Sequence, residues 1–379
     1  MAEFAVIIPT LNERSNVAPM VHALASVLKD IDFEIVFVDD DSPDGTASRV
    51  LEISRSDPRV RLVHRIHRRG LASAAVEGMM ATNAPFLAVI DGDMQHDETV
   101  LPEMLSLLKG GGVDLVVGTR HRKGGSTGEF SRARLALSQL GRRLSTFVCR
   151  ADVSDPMSGF FALRRDYLDE VVRNLSCIGF KILVDLLASS RRPVRIVECG
   201  YTFRNRLHGE SKLDLVVGLD YLELLIDKSV GQWIPVRYAL YGLVGAMGVV
   251  AQLAATQFLL MSGRFQFTTA QLVSSLAAIV LNYAVNNQIT FRDRRLHGWR
   301  WLAGLAVFSV CCSLGLYLNL RVAGGLIELG AGWAVASLSG ILIASVWNYS
   351  LSALLVWRVN RRRSRPQPVS ELIGNQEPA

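Results

Sequence analysis

The first part of the chain alternates short apolar runs with stretches of helical periodicity. The runs Phe4–Ile8, Glu34–Val38 and Phe86–Ile90 are continuous and rich in β-branched or aromatic residues, which predicts buried parallel strands. A helical pattern follows Ser15. Strands near the start, near position 35 and near position 88, separated by helical patterns, predict a βαβαβ nucleotide-binding half and therefore an α/β domain.

The second part of the chain is apolar almost throughout. From Tyr238 to Trp357 charged residues nearly vanish, and four apolar segments follow Pro235, each about long enough to cross the hydrocarbon of a bilayer. The segments are Tyr238–Met261, Ala270–Ile289, Leu302–Leu320 and Trp333–Trp357. We therefore expect an α/β domain over residues 1–230, a four-helix transmembrane domain over 231–360, and a disordered basic and polar tail over 361–379.

The basic residues beside the apolar segments predict how the chain is oriented in a membrane. The link after the second segment and the C-terminal tail hold most of them, whereas the other two links offer only Arg264 and Arg321. By the positive-inside rule we expect both termini and the N-terminal domain in the cytosol, and the N-terminus lacks the pattern of a signal peptide. The tryptophans near segment ends are typical of interfacial anchors: Trp299, Trp301, Trp333 and Trp357.

Composition disfavours several classes of function. The net charge is +6 and the isoelectric point about 9.2, but the basic residues form no aromatic-interleaved patch, which disfavours nucleic-acid binding. The five cysteines are odd in number and show no Cys-x-x-Cys spacing, which indicates a reducing compartment without thiol chemistry. A dinucleotide dehydrogenase and a P-loop enzyme are disfavoured because neither a Gly-x-Gly-x-x-Gly after the first strand nor a Walker lysine is present.

Acidic residues follow two of the predicted strands. Asp91 and Asp93 point to the same side of an extended segment, and Gln95 can add a neutral oxygen. Hard oxygen ligands at a strand end suit Mg²⁺ or Mn²⁺ carried with a diphosphate, so we expect a metal site here, with a solvated acidic turn as the alternative. The residues Asp39–Asp41 end another strand and are suitable acceptors for the imino groups of a base or the hydroxyls of a ribose.

Three ordered motifs carry a resemblance to a known family. The segments Ile7–Glu13, Val38–Thr46 and Asp91–His96 together resemble the family 2 GT-A glycosyltransferases, in particular the dolichol-phosphate mannose synthases and their bacterial polyprenyl-phosphate relatives. The resemblance covers about the first 230 residues and continues through Arg69 and Leu71, Gly118–Arg120, Asp155–Phe160 and Arg204–Lys212. The stretch Asn282–Phe291 is similar to part of the GtrA-like four-helix domain. Together they imply a Rossmann-like GT-A transferase domain followed by a transmembrane domain.

The resemblance implies a role for each residue that matches a family motif. The residues expected to contact the nucleoside are Pro9, Leu11, Glu13, Val38 and Asp40. Those expected to hold the metal are Asp91, Asp93 and Gln95, with the backbone of Gly92 near the donor. Those expected to bind phosphates of the donor or the acceptor are Arg120, Arg134, Ser138, Arg206 and Lys212. The family commonly has tyrosine where this chain has Leu11, so stacking on the base is lost here.

The implied reaction is the inverting transfer of mannose from GDP-mannose to dolichyl or polyprenyl phosphate at the cytosolic membrane face. A divalent cation would neutralise the leaving diphosphate, and an acceptor oxygen that is already anionic needs no general base. Arginine forks and one lysine suit two anions held close together. A UDP-glucose-dependent polyprenyl-phosphate glucosyltransferase is the alternative. Processive polysaccharide synthesis is disfavoured because no Gln-x-x-Arg-Trp segment is present.

The role of the apolar helices has several open interpretations. They anchor the enzyme or join it into a homo-oligomer, or they translocate a glycolipid while the first domain only binds it. Their asparagines are expected to form interhelical hydrogen bonds rather than to line a lipid path: Asn282, Asn286, Asn287 and Asn348.

In the first domain, Arg132–Val148 has the pattern of a basic interfacial helix. The segment Leu213–Ile226 repeats apolar residues at helical spacing and is a second candidate for contact with the membrane. Ordinary packing against the sheet or the transmembrane domain is the alternative for both segments.

Overall fold

The computed structural model describes residues 2–120, 153–204, 215–231 and 233–357. The chain divides into two compact units, Met1–Trp233 and Ile234–Ala379.

In the described part of the first unit, seven strands form one mixed sheet. The strands are β1 (Phe4–Thr10), β2 (Phe33–Asp39), β3 (Val60–His64), β4 (Phe86–Val89), β5 (Leu115–Thr119), β6 (Phe161–Arg164) and β7 (Ile196–Gly200). Their order across the sheet is β3-β2-β1-β4-β6-β5-β7. The segments Phe4–Ile8, Glu34–Val38 and Phe86–Ile90, predicted to be strands, correspond to β1, β2 and β4, so the predicted α/β class is confirmed.

One strand of the sheet runs against the others. The strands β3, β2, β1 and β4 are parallel, and β5 is parallel to β7, whereas β6 is antiparallel to both β4 and β5. The chain therefore enters β6 at the edge of the sheet where β4 and β5 end. This arrangement brings the segment Asp155–Phe160 beside the residues that follow β4.

Helices cover both faces of the sheet, which explains why β1 is buried along its whole length. The described helices of this unit are α1 (Arg14–Val27), α2 (Thr46–Ser54), α3 (Leu71–Met80), α4 (Leu101–Lys109), α5 (Arg165–Val171), α6 (Ile182–Ser189) and α7 (Leu215–Val230). Alternate residues of β1 enter two separate apolar clusters: Ala5 and Ile7 join one, and Phe4, Val6 and Ile8 join the other.

The helix α7 is fixed to the first unit by apolar packing and by a buried ion pair. Its residues Tyr221, Leu224 and Leu225 belong to one of the two apolar clusters. The ammonium of Lys228 lies 2.7 Å from the carboxylate of Asp185, which is fully buried. Packing within the unit therefore accounts for the described apolar side chains Tyr221, Leu224 and Leu225 of the predicted segment Leu213–Ile226. The segment Arg132–Val148 lies outside the described residues.

The described part of the second unit contains four helices that are long and apolar enough to cross a membrane, as the sequence predicts. They are α8 (Val236–Met261), α9 (Phe267–Gln288), α10 (Trp299–Glu328) and α11 (Trp333–Leu351), and a π-helical turn, Ser352–Val356, continues the last one. The helix α8 packs against α9, and α10 packs against α11. Large apolar side chains such as Leu253, Leu316 and Leu342 face outward, as lipid-exposed residues do.

An aromatic cluster closes one end of this helical unit. Trp357 is fully buried, its ring stacks on Phe291 with centroids 4.1 Å apart, and its indole nitrogen donates to Oδ1 of Asn287 at 3.0 Å. The prediction that Trp357 is an interfacial anchor is therefore wrong, since the indole serves packing inside the unit. Trp299, by contrast, is 75% exposed. The bond from Trp357 joins the end of the last helix to Asn287 of α9, as predicted for Asn287, whereas Asn286 Nδ2 donates to the carbonyl of Asn282 within its own helix at 2.9 Å.

Candidate active site

The loops that leave the strands at one edge of the sheet hold most of the predicted site residues. The described segments at this edge are Leu11–Glu13, Asp40–Gly45, Asp91–Asp97, Arg120 and Asp155–Phe160. They converge because β1, β2, β4 and β5 all end there, while β6 begins there. Ligands of open α/β sheets bind at such carboxyl ends.

The loops after β1 and β2 are held together by Asp39. Its carboxylate is fully buried and accepts hydrogen bonds from Thr10 Oγ1 at 3.2 Å, from the backbone of Ser42 at 2.9 Å and from Ser42 Oγ at 2.6 Å. The hydroxyl of Ser42 in turn accepts from the backbone of Asn12 at 2.9 Å. Asp39 therefore has a structural role, since it fixes the loops after β1 and β2 relative to each other.

Asp40 joins β2 to the start of α3. One of its oxygens accepts from Arg65 Nη1 at 2.7 Å, and the other accepts from the backbone N–H of Gly70 at 2.7 Å. Arg65 is itself buried and also donates to Ser73 Oγ. Burial raises the pKa of Asp40, while the Gly70 hydrogen bond and the Arg65 guanidinium act in the opposite direction. Each oxygen of Asp40 therefore has one partner within the protein and keeps a lone pair that could accept a further hydrogen bond.

The other residues predicted to contact a nucleoside lie at the same edge with differing exposure. Pro9 and Val38 are buried, whereas Leu11 and Glu13 are half-buried. The backbone N–H of Glu13 donates to Thr46 Oγ1 at 3.0 Å, which ties the start of α1 to the start of α2. The first two strands therefore contribute a continuous rim, and the contact of this rim with a nucleoside remains a prediction.

The turn after β4 presents Asp91 and Asp93. The backbone of Gln95 donates to Asp93 Oδ1 at 3.2 Å, and Met94 between them has a φ of 63°, so the chain turns sharply here. A Cβ atom on Gly159 would lie 2.6 Å from Oδ2 and 3.0 Å from Oδ1 of Asp91. The absence of a side chain at Gly159 therefore gives the Asp91 carboxylate its room.

The turn is also tied to the segment that carries further predicted phosphate ligands. Gln95 Nε2 donates to the carbonyl of Arg204 at 3.2 Å, and the backbone of Arg204 donates to the carbonyl of Gln95 at 2.8 Å. The Arg204 guanidinium lies 2.7 Å from both Asp97 and Glu98. Four of the predicted phosphate ligands lie outside the described residues, namely Arg206, Lys212, Arg134 and Ser138.

Arg120 is held in the site by Asp155. Its Nε donates to Asp155 Oδ2 at 3.0 Å, and its guanidinium lies over the ring of Phe203, 4.9 Å from the centroid. Asp155 is only 4% exposed, so the pair is partly shielded from water. The positively charged guanidinium of Arg120 is therefore held in one position at the end of β5, beside the turn that holds Asp91.

Lys181 also lies at the site, although no sequence motif predicts it there. Its ammonium donates to the carbonyl of Met157 at 3.2 Å, in the loop that also contains Gly159. Burial lowers the pKa of Lys181, while the carboxylates of Asp91 and Asp155 act in the opposite direction. An isolated lysine before an apolar helix resembles an ordinary helix start, so only the fold brings it to the site.

The donor set fits a divalent cation that is carried with a diphosphate. Within residues 2–120, 153–204, 215–231 and 233–357, no three His, Cys, Asp or Glu side chains group together to hold a metal ion. The predicted set has two carboxylates and one amide, and Mg²⁺ typically uses one or two carboxylates and keeps its other positions for phosphate oxygens and water. Asp91 and Asp93 lie in one turn after β4, and the lack of a side chain at Gly159 lets the Asp91 carboxylate take its position, so this turn can supply both carboxylates.

Two known families match this chain in separate regions. The family described as glycosyl transferase family 2 matches residues 5–172. The family described as the GtrA/DPMS transmembrane domain matches residues 240–357. The two matches fall in the two compact units.

Relatives with curated names match over most of their length. A dolichol-phosphate mannosyltransferase of Pyrococcus furiosus is 30% identical over 356 residues, which cover 93% of this chain and 99% of the relative. A dolichol-phosphate mannosyltransferase of Saccharomyces cerevisiae is 34% identical over 232 residues, which cover 59% of this chain and 85% of the relative.

Among solved structures, a glucosyl-3-phosphoglycerate synthase of Mycobacterium tuberculosis is similar to 60% of this chain and 79% of its own. The two are 20% identical, with a TM-score of 0.44.

Proposed function

This chain belongs to the dolichol-phosphate mannosyltransferase family, whose catalytic domain is a family 2 glycosyl transferase, and we propose that it transfers mannose from GDP-mannose to dolichyl or polyprenyl phosphate. The observation that carries the proposal is the meeting of Asp91, Asp93 and Arg120 at one edge of the sheet. Acids for a cation and a guanidinium for phosphate are what the displacement of a nucleoside diphosphate requires.

The donor is proposed to lie along the edge from β2 to β4. Pro9, Leu11, Glu13, Val38 and Asp40 would contact the nucleoside. The order β2-β1-β4 in the sheet supports this, because the loops that follow β2 and β1 lie beside the turn that carries the acids. A diphosphate extending from that rim would reach the residues after β4.

Asp91, Asp93 and Gln95 are proposed to hold Mg²⁺ or Mn²⁺, with the Gly92 backbone near the donor. When bound, the cation would neutralise charge on the leaving diphosphate and act as a template for it. The hydrogen bond between His96 Nε2 and Asp91 Oδ2, 3.0 Å long, holds one of these carboxylates in place.

The phosphates are proposed to be bound by the basic residues of the site. Arg120 is already fixed there by Asp155, and Arg206, Lys212, Arg134 and Ser138 are the further predicted ligands. The acceptor oxygen of a lipid phosphate is anionic near neutral pH, so no side chain has to remove a proton from it. Direct attack opposite the leaving group inverts the anomeric centre, and the bond from that carbon to the diphosphate breaks as the new one forms.

The four apolar helices are proposed to keep the enzyme at the bilayer where its lipid acceptor resides. The basic residues near the second link, including Arg292, Arg294 and Arg295, support a cytosolic position for that link, for the first unit and for both termini. Because the first unit has its own cores, we rank anchoring above glycolipid transport.

The proposal is tested by incubating the purified full chain with a panel of GDP- and UDP-sugars and polyprenyl phosphate. The expected product is mannosyl phosphoryl polyprenol from GDP-mannose, detected by mass spectrometry, with inverted anomeric configuration. Unphosphorylated polyprenol is the matched control and should give no product. Product from UDP-glucose alone would replace the proposed donor, and the lack of any glycolipid from every donor would refute a lipid-phosphate transferase.

A further inference from the structure

A chain of three side chains leads from the candidate metal turn into the core of the first unit. His96 Nε2 lies 3.0 Å from Asp91 Oδ2, and His96 Nδ1 lies 2.7 Å from the hydroxyl of Tyr201. His96 and Tyr201 are 4% and 2% exposed. Tyr201 directly follows β7, so a residue about 110 positions from Asp91 in sequence completes its hydrogen-bond chain.

The chemistry of the three groups sets the direction of these hydrogen bonds. An ionised Asp91 can only accept, so the proton must be on His96 Nε2. A neutral imidazole then presents Nδ1 as an acceptor, to which the Tyr201 hydroxyl donates. Burial raises the pKa of the Tyr201 hydroxyl, so this group keeps its proton across the range in which enzymes work.

Aromatic packing restricts the orientation of the His96 imidazole. The ring centroids of Phe160, Tyr201 and Phe203 lie 5.4, 5.5 and 5.5 Å from that of His96. The ring is therefore surrounded on several sides, and packing restricts where it lies. Packing alone does not select which ring nitrogen carries the proton, because the two tautomers have the same shape.

We propose that Tyr201 is a positioning residue for the metal site, which acts by donating to His96 Nδ1 and so fixing the tautomer that holds Asp91. The inference rests on the proposed use of Asp91 as a metal ligand. Hydrogen bonds behind a metal ligand commonly change metal affinity by about 10- to 100-fold when they are removed. Tyr201 itself is not expected to touch the substrates.

The test is Mn²⁺ binding to the full chain in detergent, measured by electron paramagnetic resonance with and without GDP. Tyr201→Phe keeps the ring and removes the donor, and it should weaken Mn²⁺ binding by about tenfold. Tyr167→Phe is the matched control, because Tyr167 is 1% exposed and donates to the carbonyl of Leu186 at 2.9 Å in the same unit. Its Mn²⁺ affinity should stay within about twofold of the unsubstituted chain.

A double-substitution cycle tests whether Tyr201 acts through His96. His96→Phe should weaken Mn²⁺ binding at least as much as Tyr201→Phe does. Adding Tyr201→Phe to His96→Phe should then cause no further loss, because residues acting through one contact are not additive. A further loss equal to that of the single Tyr201→Phe variant would show that Tyr201 acts independently, and would overturn the inference.

The remaining outcomes separate this inference from the proposed function. Unchanged Mn²⁺ affinity in Tyr201→Phe, with clear binding by the unsubstituted chain, overturns the positioning role and leaves the metal site standing. An equal loss in Tyr201→Phe and Tyr167→Phe points to general destabilisation and also overturns it. Absence of Mn²⁺ binding by the unsubstituted chain, with and without GDP, overturns the metal assignment and this inference with it.

Discussion

Gly159 lies so close to Asp91 that the position of the carboxylate depends on a missing side chain. A Cβ atom there would approach Oδ2 to 2.6 Å and Oδ1 to 3.0 Å, so an alanine must push the carboxylate aside. We therefore expect Gly159→Ala to lower the transfer rate by about 10²-fold, since displacements near 1 Å in a reacting site have effects of that size. The measurement is the initial rate of glycolipid formation by the full chain.

A control for Gly159→Ala is available in the same unit. A Cβ atom on Gly110 would lie 3.5 Å from the nearest atom, which is ordinary contact, so Gly110→Ala should keep the transfer rate within about twofold. Equal rates for Gly159→Ala and the unsubstituted chain would contradict the role given to the Asp91 carboxylate.

Single residues of the site were predictable where they belong to local motifs. Asp91, Asp93 and Arg120 lie at the expected edge because each follows a recognisable strand or motif. By contrast, Lys181 and Tyr201 follow no motif and reach the site only through the order of strands and helices. The different roles of Asp39 and Asp40 were also not predictable, because both are acids at the end of the same strand. In the structure they have different hydrogen-bond partners.

The edge formed by β5 and β7 is held by a single buried acid. Asp114 is 3% exposed, and its oxygens lie 2.8 Å from the guanidinium groups of both Arg192 and Arg195. The backbone of Arg195 also donates to Asp114 at 3.0 Å. Although burial acts to raise the pKa of Asp114, the hydrogen bonds from Arg195 and Arg192 outweigh it and hold the pKa well below its ordinary range.

A depressed pKa in the folded state makes this ion cluster stabilising above the unfolded pKa of about 3.9. That stabilisation is lost as the pH falls from there toward the folded pKa. Asp114→Asn should therefore lower the free energy of unfolding at pH 7 by about 2 kcal/mol, and the difference should shrink below about pH 4. Thermal unfolding of the full chain at several pH values measures it.

The control for this titration is Asp30→Asn, which changes an exposed carboxylate. It should shift the unfolding midpoint little at any pH. A gap between Asp114→Asn and the unsubstituted chain that stays constant from pH 7 to pH 3 would contradict the assigned pKa direction.

Whole elements were predictable where they are buried and continuous. The strands β1, β2 and β4 are apolar runs, but β3 carries Arg61 and His64 among its apolar residues and lies at the edge of the sheet, so no continuous run marks it. The predicted βαβαβ unit contains no strand between those near positions 35 and 88, whereas the structure has β3 there, so the run Phe86–Ile90 forms the fourth strand. The antiparallel direction of β6 depends on long-range pairing that periodicity does not encode.

At the scale of the molecule, the two units should be separable after α7 but not within it. A chain that ends at Trp233 keeps Lys228 beside Asp185 and should retain lipid-phosphate transfer in detergent if the helices only anchor the enzyme. A chain that ends at Ile226 removes Lys228 and leaves Asp185 buried without its ammonium. We expect the shorter chain to be less stable by about 3–5 kcal/mol.

The two truncated chains are compared by their thermal unfolding and by their rate of transfer in the same detergent. Lys228→Met in the full chain is the matched control and should reproduce most of the loss of stability. Complete loss of transfer in the chain ending at Trp233, despite a normal unfolding midpoint, would instead indicate that the apolar helices complete the acceptor site.

The division into two units was predictable because it follows from hydropathy, which changes abruptly along the chain. The family matches fall on either side of the same boundary, at residues 5–172 and 240–357. Packing within the second unit was less predictable, since the position that buries Trp357 against Phe291 also suits an interfacial anchor in sequence.

The most direct test of the account compares Asp93→Ala with the unsubstituted full chain in transfer from GDP-mannose to polyprenyl phosphate, with Mg²⁺ or Mn²⁺ and with a chelator. The unsubstituted chain should lose transfer when chelated, and Asp93→Ala should fall by at least about 10³-fold with metal present, because the cation supplies several kcal/mol. Asp166→Ala, which changes an exposed acid away from the site edge, is the control. Full transfer by Asp93→Ala, or by the chelated unsubstituted chain, would contradict the account.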